Sequence, residues 1–126
     1  MKLRIKGDSL RLRLTRGEVQ QLAEAGSVED QTHITCHGVL IYRLRRAARA
    51  TELAATFENG AIDIQVPEGA AREWCDTELV TLQNVQRHGS VALRITVEKD
   101  YACLAPRTDE DESDNFSHPA QRSSKS

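Results

Sequence analysis

The sequence is poor in aromatic residues, which make up 4% of it, and it has three prolines and one tryptophan. Its longest uninterrupted apolar run, Tyr101 to Ala105, is far below the ~20 residues that a membrane-crossing helix requires. With so few aromatics there is no stacking pair on the basic segments, so nucleic acid is an unlikely partner. Three cysteines, Cys36, Cys75 and Cys103, are an odd number with no CxxC pair, which argues against a disulfide framework and against a zinc ribbon. Neither a G-x-S-x-G elbow nor a Walker loop is present. No apolar stretch of signal-peptide type follows Met1, so the expected compartment is the cytoplasm, with no membrane partner.

The 126 residues that remain to be explained are 39% hydrophobic and 29% charged, with a formal net charge of -2. A mean hydropathy of -0.52 suits a chain that buries one modest core. The charge is unevenly spread. Residues 1–50 carry ten Lys or Arg against five Asp or Glu, and residues 51–126 carry seven against fourteen. Such asymmetry points to a basic surface for an anionic partner, or to halves that neutralise each other within one fold.

The opening alternates. Leu3 and Ile5 interleave with Lys2, Arg4 and Lys6, and Leu10, Leu12 and Leu14 with Arg11 and Arg13. Gly7-Asp8 between them suits a two-residue type II′ turn. That register sets Ile5 against Leu10 and Leu3 against Leu12 on one face, and Arg4 against Arg11 and Lys2 against Arg13 on the other. Thr15 and Glu18 then form a capping box, Val19, Leu22 and Ala23 make an apolar stripe, and Gly26 is placed to end the helix. Strands are expected at Asp30–Thr35 and Val39–Arg46. Asn59-Gly60 specifies a second hairpin with Phe57 against Ile62, Ala55 against Ile64 and Leu53 against Val66. Pro67 opens a short helix, Glu68–Asp76, that turns Ala70, Ala71 and Trp74 toward the sheet. Strands at Leu79–Val85 and Val91–Lys99 follow, the latter with strict period-two alternation.

These elements define an α+β fold: a curved antiparallel sheet or small barrel of about eight strands with two short helices and an acidic C-terminal tail. Residues 1–104 are expected to form a single domain, and residues 105–126, acidic and Ser-rich, a largely mobile tail. No internal repeat is visible.

The chemistry that the residues offer is sparse. Like charges directly opposed across a ladder repel, costing roughly 0.2–1 kcal/mol per pair, so Lys2, Arg4, Arg11 and Arg13 call for negative company. Glu52, Asp63 and Glu98, all on polar strand faces, are internal candidates, as is the acidic tail. A bound anionic ligand, such as a phosphate, is the functional candidate. His33, Cys36 and His37 invite a metal, but residues four apart on a strand are roughly 13 Å from each other, so one ion cannot hold both histidines without a sharp turn. Asp109, Asp111, Asp114 and His118 could collect a hard cation, yet the EF-hand glycine and closing Glu are missing. Cys103 with Glu98 and Asp100 is the constellation for an alternative, a small metal-dependent protein or enzyme. An opening of E-x-E-x-K type would suggest triphosphate-tunnel chemistry, but Lys2, Arg4 and Lys6 stand in those positions.

Three segments carry a family likeness: Lys2-Leu3-Arg4-Ile5-Lys6-Gly7 with Ser9 and Arg11-Leu12-Arg13-Leu14-Thr15; Val66-Pro67 with Ala71-Arg72-Glu73-Trp74; and Glu98-Lys99-Asp100-Tyr101-Ala102-Cys103-Leu104. With these the chain resembles a family of small bacterial proteins of unknown function. The resemblance implies no activity and no cofactor. Relatives end F-P-N-P where this chain has Phe116-Ser117-His118-Pro119, so His118 departs from the pattern and is a poor ligand candidate. The sequence therefore reads as a small binding or accessory module whose cationic hairpin face, Lys2, Arg4, Arg11 and Arg13, holds an anionic ligand or its own acidic tail, with an anionic ligand or a protein as the expected partner.

Overall fold

The computed structural model describes residues 1–101. Among them are eight strands and two helices: β1 (Lys2–Ile5), β2 (Ser9–Leu14), α1 (Arg16–Ala25), β3 (Ser27–His33), β4 (Val39–Ala47), β5 (Ala54–Glu58), β6 (Ala61–Pro67), α2 (Glu68–Asp76), β7 (Thr81–His88) and β8 (Val91–Lys99). The acidic tail expected at residues 105–126 lies outside the described residues.

Local turn chemistry makes the hairpins. Gly7 has φ +55°, as the first position of a type II′ turn requires, while Asn59 and Gly60 have φ +52° and +76°, the paired positive values of type I′. Both registers follow from those turns. Leu3 faces Leu12 and Ile5 faces Leu10 in the first, and Phe57 faces Ile62 and Ala55 faces Ile64 in the second. Helix α1 starts at a capping box in which Glu18 N–H donates to Thr15 Oγ1 and Thr15 N–H donates to Glu18 Oε1. A cap of this kind is worth about 1 kcal/mol. The helix stops at Gly26, whose φ is +90°.

The hairpins assemble in a way that local signals do not specify. One sheet has the order β1-β2-β8-β7 and the other β3-β4-β6-β5, and they do not close into a barrel. Each contains two antiparallel hairpins joined through parallel central strands, β2 with β8 and β4 with β6. The fold is mainly β, with both helices packed against each other and against the sheet ends into which β2 and β6 run. Leu12, Leu14, Leu22, Leu44, Ile64, Trp74, Ile95 and Val97 fill the space between. Each such side chain contributes roughly 1.5–3 kcal/mol through removal from water. Trp74 is fully buried and donates its Nε1–H to the Val80 carbonyl at 2.9 Å. That carbonyl also accepts from the Lys99 N–H, so Leu79 and Val80 serve the helix exit and β7 begins only at Thr81.

One seam between the sheets is made by side-chain amides. Gln86 on β7 accepts from the Ala55 N–H at 2.8 Å and donates to the Ala55 carbonyl at 3.1 Å, and Asn84 donates to the Leu53 carbonyl at 2.8 Å. These amides act as a surrogate strand and satisfy β5 at its open edge.

A repeat that the sequence hides is plain in the element order. Residues 2–47 and 54–99 each run hairpin, helix, hairpin, with Ser9 matched by Ala61, the helix caps Thr15 and Pro67 matched, and, because Leu12 pairs with Val97 as Ile64 pairs with Leu44, Leu44 matched by Val97. Each sheet takes one hairpin from each half. In the alignment that these registers set, only Gly17 and Gly69, and Leu40 and Leu93, are identical, too few to register as a repeat by eye.

Candidate anion-binding face

The first hairpin brings Lys2 opposite Arg13 and Arg4 opposite Arg11. Because the side chains of directly paired residues share a face, all four point to the outer side of their sheet, away from Leu10, Leu12 and Leu14. The parallel partner strand extends the rows. Glu98 stands opposite Arg13, Thr96 opposite Arg11 and Arg94 opposite Ser9. Strand β7 completes them with Thr81, Gln83 and Val85, and adds Arg87 opposite Ala92. The cations of the opening hairpin thus share one surface with two arginines far away in sequence.

The internal counter-charge is Glu98, whose carboxylate accepts from Arg13 Nε at 2.6 Å and lies 3.8 Å from Arg11 Nη1. Asp100 adds a contact to Lys2 Nζ at 3.6 Å. The other two carboxylates considered as neutralisers are elsewhere: Asp63 accepts from Arg45 Nε at 2.9 Å on the second sheet, and Glu52 accepts from Asn84 Nδ2 at 3.3 Å. Lys6, Arg4 and Arg94 are exposed and have no ion pair among the described residues. Two carboxylates at one end of the face therefore serve Lys2, Arg11 and Arg13, and the middle remains positive.

The outer face of the second sheet occupies the equivalent place in the other half of the repeat and is charge-balanced. Arg43 pairs with Glu29 and Arg45 with Asp63, each at 2.9 Å.

The remaining sequence candidates do not converge. His33 ends β3, while Cys36 and His37 lie in the exposed turn between β3 and β4. Among the described residues no group of three His, Cys, Asp or Glu side chains could hold a metal ion. Cys103, Asp109, Asp111, Asp114 and His118 lie outside the described residues. Of the Cys103 constellation, Glu98 and Asp100 are both engaged with cations. Burial pushes the Cys75 thiol above its ordinary pKa, and Asp76 adds to the effect against Lys99 and Arg46. That thiol is a poor nucleophile. Sequence reasoning missed Arg94 and Arg87: the alternation in Val91–Lys99 put Arg94 on a polar face, but nothing local said which face of which neighbour it would join.

Together these features define a small two-sheet β protein, covered at one end by two helices, with one strongly cationic sheet face. The chain belongs to DUF7009, a family of unknown function, whose model matches residues 1–120. No curated protein and no solved structure matches it. No helix among the described residues is long and apolar enough to cross a membrane.

Proposed function

We propose that this protein is a binding or accessory module that takes an anionic ligand on the outer face of the β1-β2-β8-β7 sheet, through Lys2, Arg4, Arg11 and Arg13. The observation that carries this reading is that Arg4 is exposed beside Arg11, with Arg94 on the next row, while the carboxylates on the face attend Lys2, Arg11 and Arg13. Guanidinium groups so placed favour bidentate contact with phosphate or carboxylate oxygens. The acidic tail, residues 105–126, is a tethered competitor of the same charge, and truncation separates the two occupants. In a thermal-shift titration at low salt, inorganic phosphate, pyrophosphate and nucleotides are expected to raise the melting temperature of the full chain. Arg4→Ala combined with Arg11→Ala should abolish the rise, and truncation after Leu104 should enlarge it where the tail competes. A melting temperature unmoved by anion, truncation and the double substitution means a face that is merely solvated, and overturns the reading.

A further inference from the structure

The outer face of the cationic sheet carries one arginine on each of its four strands: Arg4 on β1, Arg11 on β2, Arg94 on β8 and Arg87 on β7. Arg4 and Arg11 are direct partners. Arg94 pairs with Ser9, one row from Arg11, and Arg87 pairs with Ala92, one row from Arg94. The four therefore form a diagonal stripe. Strands about 4.8 Å apart and two-residue steps of roughly 6.6 Å along them give a first spacing near 5 Å and two of about 8 Å, so the stripe is roughly 20 Å long. Arg4, Arg94 and Arg87 are exposed, and none has an ion pair among the described residues. Between them lie Ser9 and Gln83, which offer a hydroxyl and an amide, and Thr96, which is buried.

From this we infer that the stripe docks an extended acidic peptide segment of a partner protein, an inference that rests on the anion-binding reading above. A flat row of this length outreaches a single phosphate, which could meet two or three of the arginines. An extended peptide turns every second side chain to one side at a period of roughly 6.6–7 Å, close to the step between the arginines. Asp or Glu at alternate positions can then meet successive guanidinium groups in bidentate pairs, while Gln83 and Ser9 face the peptide backbone. A nucleic-acid strand is disfavoured by the face itself. None of the residues on its paired rows is aromatic, so bases would find nothing to stack on, and Glu98 and Asp100 sit at one end of the phosphate path.

The test is fluorescence anisotropy at low salt on the full chain, with labelled peptides of alternating Glu and Ser in short and long versions, about four and ten residues. The long peptide should bind at least tenfold more tightly than the short one. Arg87→Gln and Arg94→Gln, at exposed positions where folding is not at stake, should each weaken the long peptide by about two- to fivefold, the range for a solvent-exposed ion pair. Arg87→Gln should leave inorganic phosphate binding unchanged, since one phosphate engages the other end of the stripe. Equal affinity for both lengths with a silent Arg87→Gln overturns the stripe while leaving anion binding intact. Loss of phosphate and peptide binding together overturns both readings. Tighter binding of a single-stranded oligonucleotide of equal charge overturns the assignment to a peptide partner.

Discussion

Replacing Glu98 by Gln removes the main negative charge from the cationic face with little change in shape. Its carboxylate is mostly buried, 16% exposed, and holds Arg13 Nε at 2.6 Å. A hydrogen bond between charged partners in such a setting contributes about 1.5–3 kcal/mol. With about 4 °C lost per kcal/mol in a domain of this size, the melting temperature should fall by roughly 6–12 °C. The effect on ligand binding has the opposite sign. The Glu98 carboxylate reaches to 3.8 Å from Arg11 Nη1, so an anion held on the far side of the Arg4 and Arg11 guanidinium groups is roughly 7–8 Å from it, and a unit charge at that distance is worth roughly 0.5–2 kcal/mol between the dielectric limits of water and a protein surface. Anions should therefore bind about 2- to 30-fold more tightly to Glu98→Gln, and saturating ligand should restore part of the lost stability. Calorimetric titration with pyrophosphate and thermal melts, each at low and high salt, measure both effects. High salt should erase the gain in affinity and leave most of the stability loss, because the exposed face is screened and the Arg13 contact is sheltered. A variant that is destabilised yet binds pyrophosphate no better at low salt would refute the claim that net charge on this face governs binding.

Three further outcomes follow from the scaffold. Gln86→Ala strands the Ala55 N–H and carbonyl at the seam and should cost about 1–3 kcal/mol, visible as a lower urea midpoint and as faster amide exchange in β5. Burial by itself would raise the Glu18 pKa, but hydrogen bonds from the Met1 ammonium and from Thr15 hold it below its ordinary value. Its contribution is thus fully present above the usual carboxylate range near pH 4.3 and is lost as pH falls through the lowered folded value, so Glu18→Gln should flatten the drop in urea midpoint between pH 6 and pH 3. At pH 8 a thiol reagent should modify exposed Cys36 rapidly, whereas Cys75, with its raised pKa, should react only after denaturant is added; mass spectrometry of the two cysteine peptides distinguishes them.

What could be read from the sequence is whatever depends on neighbours in the chain. Gly7-Asp8 and Asn59-Gly60 fix two registers residue by residue, the Thr15 and Glu18 box starts α1, and the alternation from Val91 to Lys99 bounds β8. What could not be read is long-range. The parallel pairings of β2 with β8 and β4 with β6 join segments far apart in sequence, and loop closure leaves no local trace. Strand β7 was legible only in part because Asn84 and Gln86, polar residues on its inward side, break the alternation there in order to bond to β5. The same non-locality divided the candidate site. Lys2, Arg4, Arg11 and Arg13 were placed together by one turn, whereas Arg94 and Arg87 joined them only through the tertiary pairing with β8 and β7.

The duplicated architecture supports the proposal that the cationic face takes a ligand. If crowded arginines were a by-product of building this sandwich, the two outer faces, which occupy equivalent places in the repeat, would carry similar charge. They do not. On the β3-β4-β6-β5 sheet each central arginine has its own carboxylate, Arg43 with Glu29 and Arg45 with Asp63. On the β1-β2-β8-β7 sheet Arg11 and Arg13 share Glu98, while Arg4, Arg87 and Arg94 have no ion pair among the described residues. The balanced face demonstrates that the scaffold accommodates paired charges at no structural penalty, since its strands pair as regularly as those of the other sheet. Excess positive charge on one face is therefore a property of the side chains chosen there. Like charges across a ladder disfavour folding unless an anion offsets them, and this is the physical ground on which the proposal of an anionic occupant for the face rests.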